Sequence, residues 1–380
     1  MRSHLESTPD TFSNGSIILV KDDSSTHLDY LTEATILSEA IYDGDESAFT
    51  KAAAIYSVIV PSNGTPSWSY AKLTAAVFSD SDAPHGAYAR YWQGQNAVLR
   101  PLLMLLDYKD ILRLNMLVQL GLMLGIAYLL PQRRLGYLLL PFVILFCALT
   151  PAATSICLQY TPCFLITAAG CVFLLYRPDT VQKNAWLFFL SLGMATSYFD
   201  FLTYPLVTLG VPLVLYLHLQ DTSWKQHLRQ IFCTCLWWGI GYVGFWAEKW
   251  LLGSIVLREN LFLEARNSIL LRSSHETLGQ SITYAATLKN NVQPYTSRTW
   301  ILLLGLLVTI TVFLALYRHV LTAQRVLALA PLALVACMPF VWYYFTQNHS
   351  YIHYGFTHRE LAITFFAVSC FFVQLCRRDV

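Results

Sequence analysis

Apolar residues are distributed unevenly along the chain. Residues 1–109 contain no run long enough to cross a bilayer: "AAAIYSVIV" (52–60) is too brief, and "PSNGTPS" and "DSDAPHG" read as loops. From residue 110 the pattern changes. Runs of about 20 apolar residues recur at roughly 110–130, 135–151, 154–176, 184–200, 203–220, 229–250, 299–317, 325–345 and 360–377. The pattern predicts an all-α integral membrane protein of about nine transmembrane helices. An N-terminal region (1–109) precedes a polytopic bundle (110–380) that carries a long polar loop at 251–298.

Three polar stretches have helical, amphipathic spacing. "HLDYLTEATILSEAIYDG" puts Leu28, Leu31, Ile36 and Ile41 on a broad apolar side, with Asp29 and Glu33 four apart on the other. "GAYARYWQGQNAVLRPLLMLLDY" is an aromatic and basic lead-in to the first long run, and it carries Arg90, Trp92, Gln95 and Arg100. "RENLFLEARNSILLR" alternates Leu261, Phe262, Ile269 and Leu270 with Arg258, Glu259, Glu264, Arg266 and Arg272. Such pieces lie along a membrane interface rather than across it.

Composition agrees with a membrane setting. The chain is 55% hydrophobic and 13% charged, with mean hydropathy +0.46, about half the charged fraction of soluble domains. Its 22 Tyr, 22 Phe and 10 Trp suit aromatic belts. A net charge of +2 argues against a nucleic-acid partner, which needs a concentrated basic face. The nine cysteines form no CxxC pair and fall in or beside apolar runs, so core packing accounts for them better than metal or disulfide roles.

Basic linkers orient the spans. Arg133 and Arg134, Arg177 and Lys183, Lys225 and Arg229, Arg318 and Arg325, and the C-terminal Arg377 and Arg378 all fall on one side of a nine-span arrangement. That side is therefore read as cytoplasmic. Residues 1–109, the turns near 152 and 201, 251–298 and 346–359 are then extracytoplasmic. No basic segment followed by an apolar one at Met1 would export the N-terminal region, so a membrane helix upstream of Met1 is expected.

The polar residues on the outer side are the candidates for chemistry. Asp200, in "SYFDFLTYP", is a carboxylate among aromatics at the end of a span, which marks a functional site or a buried pair with an Arg. Lys249, in "WAEKW", lies on the side where an outward Lys suits a lipid phosphate. "NHSYIHYGFTHRE" (348–360) gathers Asn348, His349, His353, His358 and Arg359. The four-residue spacing of His349 and His353 lacks a matching carboxylate or Cys, so metal binding is the weakest reading of this stretch. Sugar or anion recognition and simple interfacial anchoring both stay open, and the Arg359 guanidinium has the shape to grip a phosphate bidentately.

Taken together, "YARYWQGQNAVLRPLLMLLDY", "SYFDFLTYPLVTLG", "WAEKWL" and "NHSYIHYGFTHRE" resemble the GT-C superfamily of polytopic membrane glycosyltransferases. Stretch by stretch they look like membrane proteins of Gram-positive bacteria. The likeness covers most of residues 25–377. It implies a large outer loop with two interfacial helices and a catalytic acidic residue, then a bundle with its donor site at the outer membrane face. It also implies a polyprenyl-phosphate-linked sugar donor and a glycan or lipid acceptor of the cell envelope. Asp29 or Glu33 stands nearest the acidic position, with Asp200 the next candidate for the base. Arg100, Lys249 and Arg359, or a divalent metal ion, would steady the departing phosphate. Arg90, Trp92, Gln95, Asn348, His349 and His353 are the further substrate-binding candidates. A flippase or transporter of lipid-linked glycan, a polysaccharide polymerase or ligase, and a non-catalytic membrane protein are the alternatives. The first of these calls for polar groups deep in the spans, where this sequence has few.

Overall fold

The computed structural model describes residues 1–13, 16–60, 68–78, 84–277, 279–296 and 323–375. The predicted span at 299–317, and with it Arg318, Arg377 and Arg378, lies outside the described residues.

The N-terminal region folds as a small mixed layer. Strands β1 (Ser16–Ile18) and β2 (His27–Asp29) pair antiparallel, with Ser16 opposite Asp29. Helix α1 (Tyr30–Ala40) begins directly on Asp29, whose carboxylate caps it by accepting from Leu31 N and Thr32 N. After α2 (Ala48–Ala54), strand β3 (Tyr56–Val58) pairs antiparallel with β4 (His85–Ala87), and between them α3 (Trp68–Phe78) packs against α1. Ala34, Leu37, Ile41, Leu73 and Val77 form the core of this layer.

Here the structure corrects the predicted sidedness of α1. Leu31, expected on the apolar side, is 49% exposed, whereas Glu33, expected on the polar side, is 1% exposed. The cause is docking. The Glu33 face of α1 meets the turn at residues 157–159, whose backbone N–H groups take the carboxylate as their acceptor. The second amphipathic stretch is also not one helix. It supplies β4, a turn with Gln93 in the left-handed region (φ 52°), and the short helix α4 (Gln95–Leu103).

Beyond residue 107 the described residues are almost entirely helical. In chain order the principal helices are α5 (Tyr108–Gln132), α6 (Leu139–Leu149), α7 (Thr161–Tyr176), α8 (Ala185–Phe199), α9 (Val207–His218), α10 (Trp224–Leu257), α11 (Leu261–Arg272), α12 (Tyr284–Val292), α13 (Ala323–Ala336), α14 (Met338–Phe345), α15 (Gln347–Ile352) and α16 (Ala362–Leu375). Helices occupy every predicted span within the described residues, but with altered ends. α7 starts only at Thr161, because the preceding residues form the turn that binds Glu33. α10 runs well past the predicted 229–250; its 34 residues extend roughly 50 Å.

Among the described residues, three helical segments are long and apolar enough to cross a bilayer: Tyr108–Gln132, Ala323–Phe345 and Tyr354–Leu375. Gly136–Leu149, Thr161–Tyr176, Ala185–Phe199 and Val207–His218 are shorter apolar helices beside them. The distribution of polarity suits lipid. Leu117, Leu124, Val143, Phe232 and Val243 point outward, whereas Asn115 and Gln119 turn inward and donate to the carbonyls of Ser155 and Thr154. α8 and α10 pack backbone to backbone at Gly193 and Gly241; a Cβ at either would overlap a main-chain carbonyl of the other helix.

The two ends of the bundle differ in chemistry. At one end Arg133 closes the C-terminus of α7 by donating to the Leu175 and Tyr176 carbonyls, and Gln182 donates to Leu219 O. The N-terminal layer covers the other end, through Glu33, Lys249 and Arg359.

Candidate functional site

A cavity of about 520 Å³ lies between the N-terminal layer and the covered end of the bundle. Asp29, Thr32, Trp68, Lys72 and Tyr88 belong to its layer side; Gln159, Phe201, Arg272, His349 and His353 belong to its bundle side. Each wall therefore comes from segments far apart in sequence.

Asp29 owes its place to the junction of β2 and α1. Its Oδ1 accepts from Leu31 N at 3.0 Å and Thr32 N at 3.3 Å, and its Oδ2 accepts the Thr32 hydroxyl at 3.0 Å. A carboxylate has about four acceptor positions, so capacity for one more donor remains at the cavity wall.

His349 and His353, one helical turn apart, place their rings 4.7 Å from each other, and His353 stacks on Phe356. The His349 Nε2 lies 2.8 Å from Leu202 O, which assigns the ring proton to that nitrogen and leaves Nδ1 an acceptor. Burial holds the His349 pKa well below the usual histidine range, with His353 and Arg272 adding to the effect. Burial and then Arg272 lower His353, while Asp29 opposes them. Both rings are neutral near pH 7. The same influences place Asp29 and Arg272 each within electrostatic reach of His353.

Arg272 ends α11 with its guanidinium 5.6 Å from the Tyr91 ring centre. Among the described residues it has no carboxylate partner. Lys72, by contrast, is 6% exposed and tied to Val58 O at 2.7 Å and Ser57 Oγ at 3.2 Å. Burial lowers its pKa and Glu39 opposes that.

Most of the other candidates are occupied elsewhere. Glu33 accepts from Tyr108 Oη, Leu158 N and Gln159 N. Among the described residues Asp200 pairs with no Arg; it caps the turn after α8 by accepting from Leu202 N, Thr203 N and the Thr203 hydroxyl. Arg359 is fully buried, donates to Leu149 O, Gly355 O and Ser25 O, and lies 4.4 Å from the Tyr160 ring centre. Lys249 donates to Ala52 O and Ala53 O beneath Trp92, whose own N–H goes to Phe245 O. Arg100 reaches Glu39 O and Tyr42 O, and Arg90 pairs with Glu264 at 2.6 Å. Gln95 donates to Gln93, and Asn348 to Glu276 O.

One physical cause unites most of these corrections. Burial within the layer, within the bundle end and between the two strips water from backbone carbonyls and amides, and each then needs a partner. Arg359, Lys249, Arg100, Glu33 and Asp200 supply such partners. Of the candidates, the cavity keeps Asp29, His349 and His353.

Sequence reasoning passed over Arg272 and Lys72. Arg272 reads as one solvated charge among several on an amphipathic helix. Lys72 had a usable signal: Ser69, Lys72, Leu73 and Ala76 share one buried helical face, where a Lys needs a reason to be.

The site does not fit a divalent metal held by protein ligands alone. Among the described residues, no cluster of three His, Cys, Asp or Glu side chains is placed to hold an ion. Arg272 is the cation at hand for an anionic ligand. Comparisons with family models, with curated proteins and with solved structures find no match for this chain.

Proposed function

We propose that this chain is a membrane-embedded glycosyltransferase of the GT-C kind. In this reading it moves a sugar from a polyprenyl-phosphate donor to a cell-envelope glycan or lipid on the extracytoplasmic face. The observation that carries the reading is that Asp29 and Arg272 line one cavity: a carboxylate with spare acceptor capacity on one wall and, on the other, a guanidinium without a carboxylate partner among the described residues. The cavity volume of about 520 Å³ lies in the range of small-molecule sites.

The chemistry asks little more. An acceptor hydroxyl attacks the anomeric carbon and gives its proton to Asp29 as the new C–O bond forms. The bond from the anomeric carbon to the phosphate oxygen breaks, and its electron pair leaves with the phosphate, whose charge Arg272 stabilises. The neutral His349 and His353 offer a donor–acceptor surface for sugar hydroxyls, and Trp68 and Tyr88 offer faces for stacking.

The test is transfer by the full chain in liposomes, with radiolabelled polyprenyl-phosphate hexoses and envelope glycans as acceptors. Asp29→Asn keeps the cap hydrogen bonds through its amide oxygen, so the fold is expected to hold while turnover falls by about 100-fold or more. Undiminished transfer by the Asn variant would remove Asp29 as the base.

A further inference from the structure

The peptide that joins Leu202 to Thr203 is held from both ends. Its N–H donates to Asp200 Oδ2 at 3.0 Å, and its carbonyl accepts from His349 Nε2 at 2.8 Å. A trans peptide is planar and carries these two groups in opposite directions. An acceptor at Asp200 therefore fixes where the carbonyl points. Two further bonds hold the turn: Asp200 Oδ2 also takes Leu202 N at 2.9 Å, and Asp200 Oδ1 takes the Thr203 hydroxyl. The turn needs this hold. Leu202 has φ +71°, in the left-handed region that a bulky side chain avoids unless its surroundings impose it.

His349 receives the result. Leu202 O can only accept, so Nε2 carries the ring proton, and in a neutral ring Nδ1 is then an acceptor. Burial, His353 and Arg272 each disfavour the charged form of the ring. The ring borders the Asp29 cavity, with the His353 ring centre 4.7 Å away. Among the described residues no protein group donates to Nδ1, and that nitrogen is not sealed from the cavity. Asp200 itself is 3% exposed and does not border the cavity, so any influence it has there passes through the peptide. A neutral nitrogen acceptor in such a wall suits an O–H of the ligand. A ligand without a donor at that point would leave the nitrogen stripped of water and unpaired.

We propose that Asp200 is a positioning residue: through the Leu202–Thr203 peptide it holds His349 in the Nε2–H form and presents Nδ1 as an acceptor for a ligand hydroxyl in the Asp29 cavity. The role rests on the transferase reading only for which hydroxyl His349 meets.

Magic-angle-spinning NMR of the full chain in liposomes, with histidine labelled at its ring nitrogens, reads the tautomer directly, because protonated and bare ring nitrogens resonate far apart. The His349 signals are those lost in His349→Gln. The wild type should show a neutral His349 ring protonated on Nε2. Asp200→Asn, whose amide oxygen can still take the two backbone N–H groups, should keep that signature; Asp200→Ala should lose it to a mixture of tautomers. Transfer from radiolabelled polyprenyl-phosphate hexoses should fall about tenfold or more in His349→Gln, whose amide can reach the Leu202 carbonyl but offers nothing in place of Nδ1. Three results would each overturn the proposal: His349 protonated on Nδ1 in the wild type, an unchanged His349 signature in Asp200→Ala, or undiminished transfer by His349→Gln. The first and third are read with Asp200 intact, so they decide the matter even where Asp200→Ala does not fold. If the wild type transfers no hexose, the transferase reading falls, while the NMR comparison still decides the role of Asp200.

Discussion

Asp29, the cap of α1, and Glu33 in its first turn have opposite fates: Asp29 borders the cavity, and Glu33 is sealed into the contact between layer and bundle. The difference predicts different penalties. Glu33→Ala orphans Leu158 N, Gln159 N and the Tyr108 hydroxyl at a buried site, at about 1–3 kcal/mol per group. Asp29→Ala removes a helix cap worth about 1 kcal/mol. Thermal unfolding in detergent should therefore show a large loss for Glu33→Ala and a small one for Asp29→Ala. Equal losses would mean that the layer is not held on by Glu33.

Arg359 yields a second prediction, and it replaces a phosphate-binding role with an architectural one. Its guanidinium ties α6 and the β1–β2 connection to the start of the last long helical segment through Leu149 O, Ser25 O and Gly355 O. Arg359→Ala should cost roughly 3 kcal/mol or more, so the variant should be recovered in low yield or as aggregate. Arg359→Lys should fold but melt early, since an ammonium cannot match the planar fork. A well-folded Arg359→Ala protein with weakened binding of lipid phosphate would restore the discarded role.

Much of the helical layout was legible because apolar runs of this length have few other uses, and α5 begins within two residues of its expected start. Helix ends were less so. Nothing local in "SICLQY" says that its amides will bind Glu33, yet that contact sets where α7 begins. The site was legible in part, for the same reason. Polarity at a span end signals that a group is needed, but not whether a carbonyl or a ligand needs it. Asp29, His349 and His353 reached the cavity, while Asp200, Lys249 and Arg359 went to the backbone. Arg272 was hidden by its company, since a charge paired with a carboxylate and one that is not look alike in sequence.

Glu39 sets a pH dependence. It is buried in the layer, and its contacts with Gln93 and Asn96 are long, at 3.5 Å each. Burial raises its pKa to about 8, against the pull of Asn96, Lys72 and Lys249. The folded-state pKa thus exceeds the ordinary 4.5, so the protonated form favours folding. The stabilisation is complete below about pH 4.5 and is lost as pH rises toward 8. Glu39→Gln mimics the protonated form and does not titrate. Its stability relative to wild type, read from thermal unfolding, should climb across that window and level off above it, by on the order of 5 kcal/mol in all. A constant offset between the two proteins from pH 5 to pH 9 would show that Glu39 stays ionised in the fold.

The unlike ends of the bundle make the membrane orientation testable. Arg133, Arg134, Arg177 and Lys183 lie between successive principal helices and Lys225 and Arg229 in the first turns of α10, and Arg133 closes an end of α7 opposite the one that begins beside the Glu33 turn. Basic residues in short loops are retained on the cytoplasmic side during insertion, so the N-terminal layer and the cavity should face outward. A lipid-linked donor could then reach Arg272 from the outer leaflet. Single cysteines at Arg134 and at Glu276, both exposed, in a background with the native cysteines replaced, would be probed in intact cells with a membrane-impermeant maleimide. Position 276 should react at once, and position 134 only after permeabilisation. The reverse pattern would turn the cavity toward the cytoplasm, where a donor carried on the outer leaflet cannot reach Asp29, and the transferase proposal would fail with it.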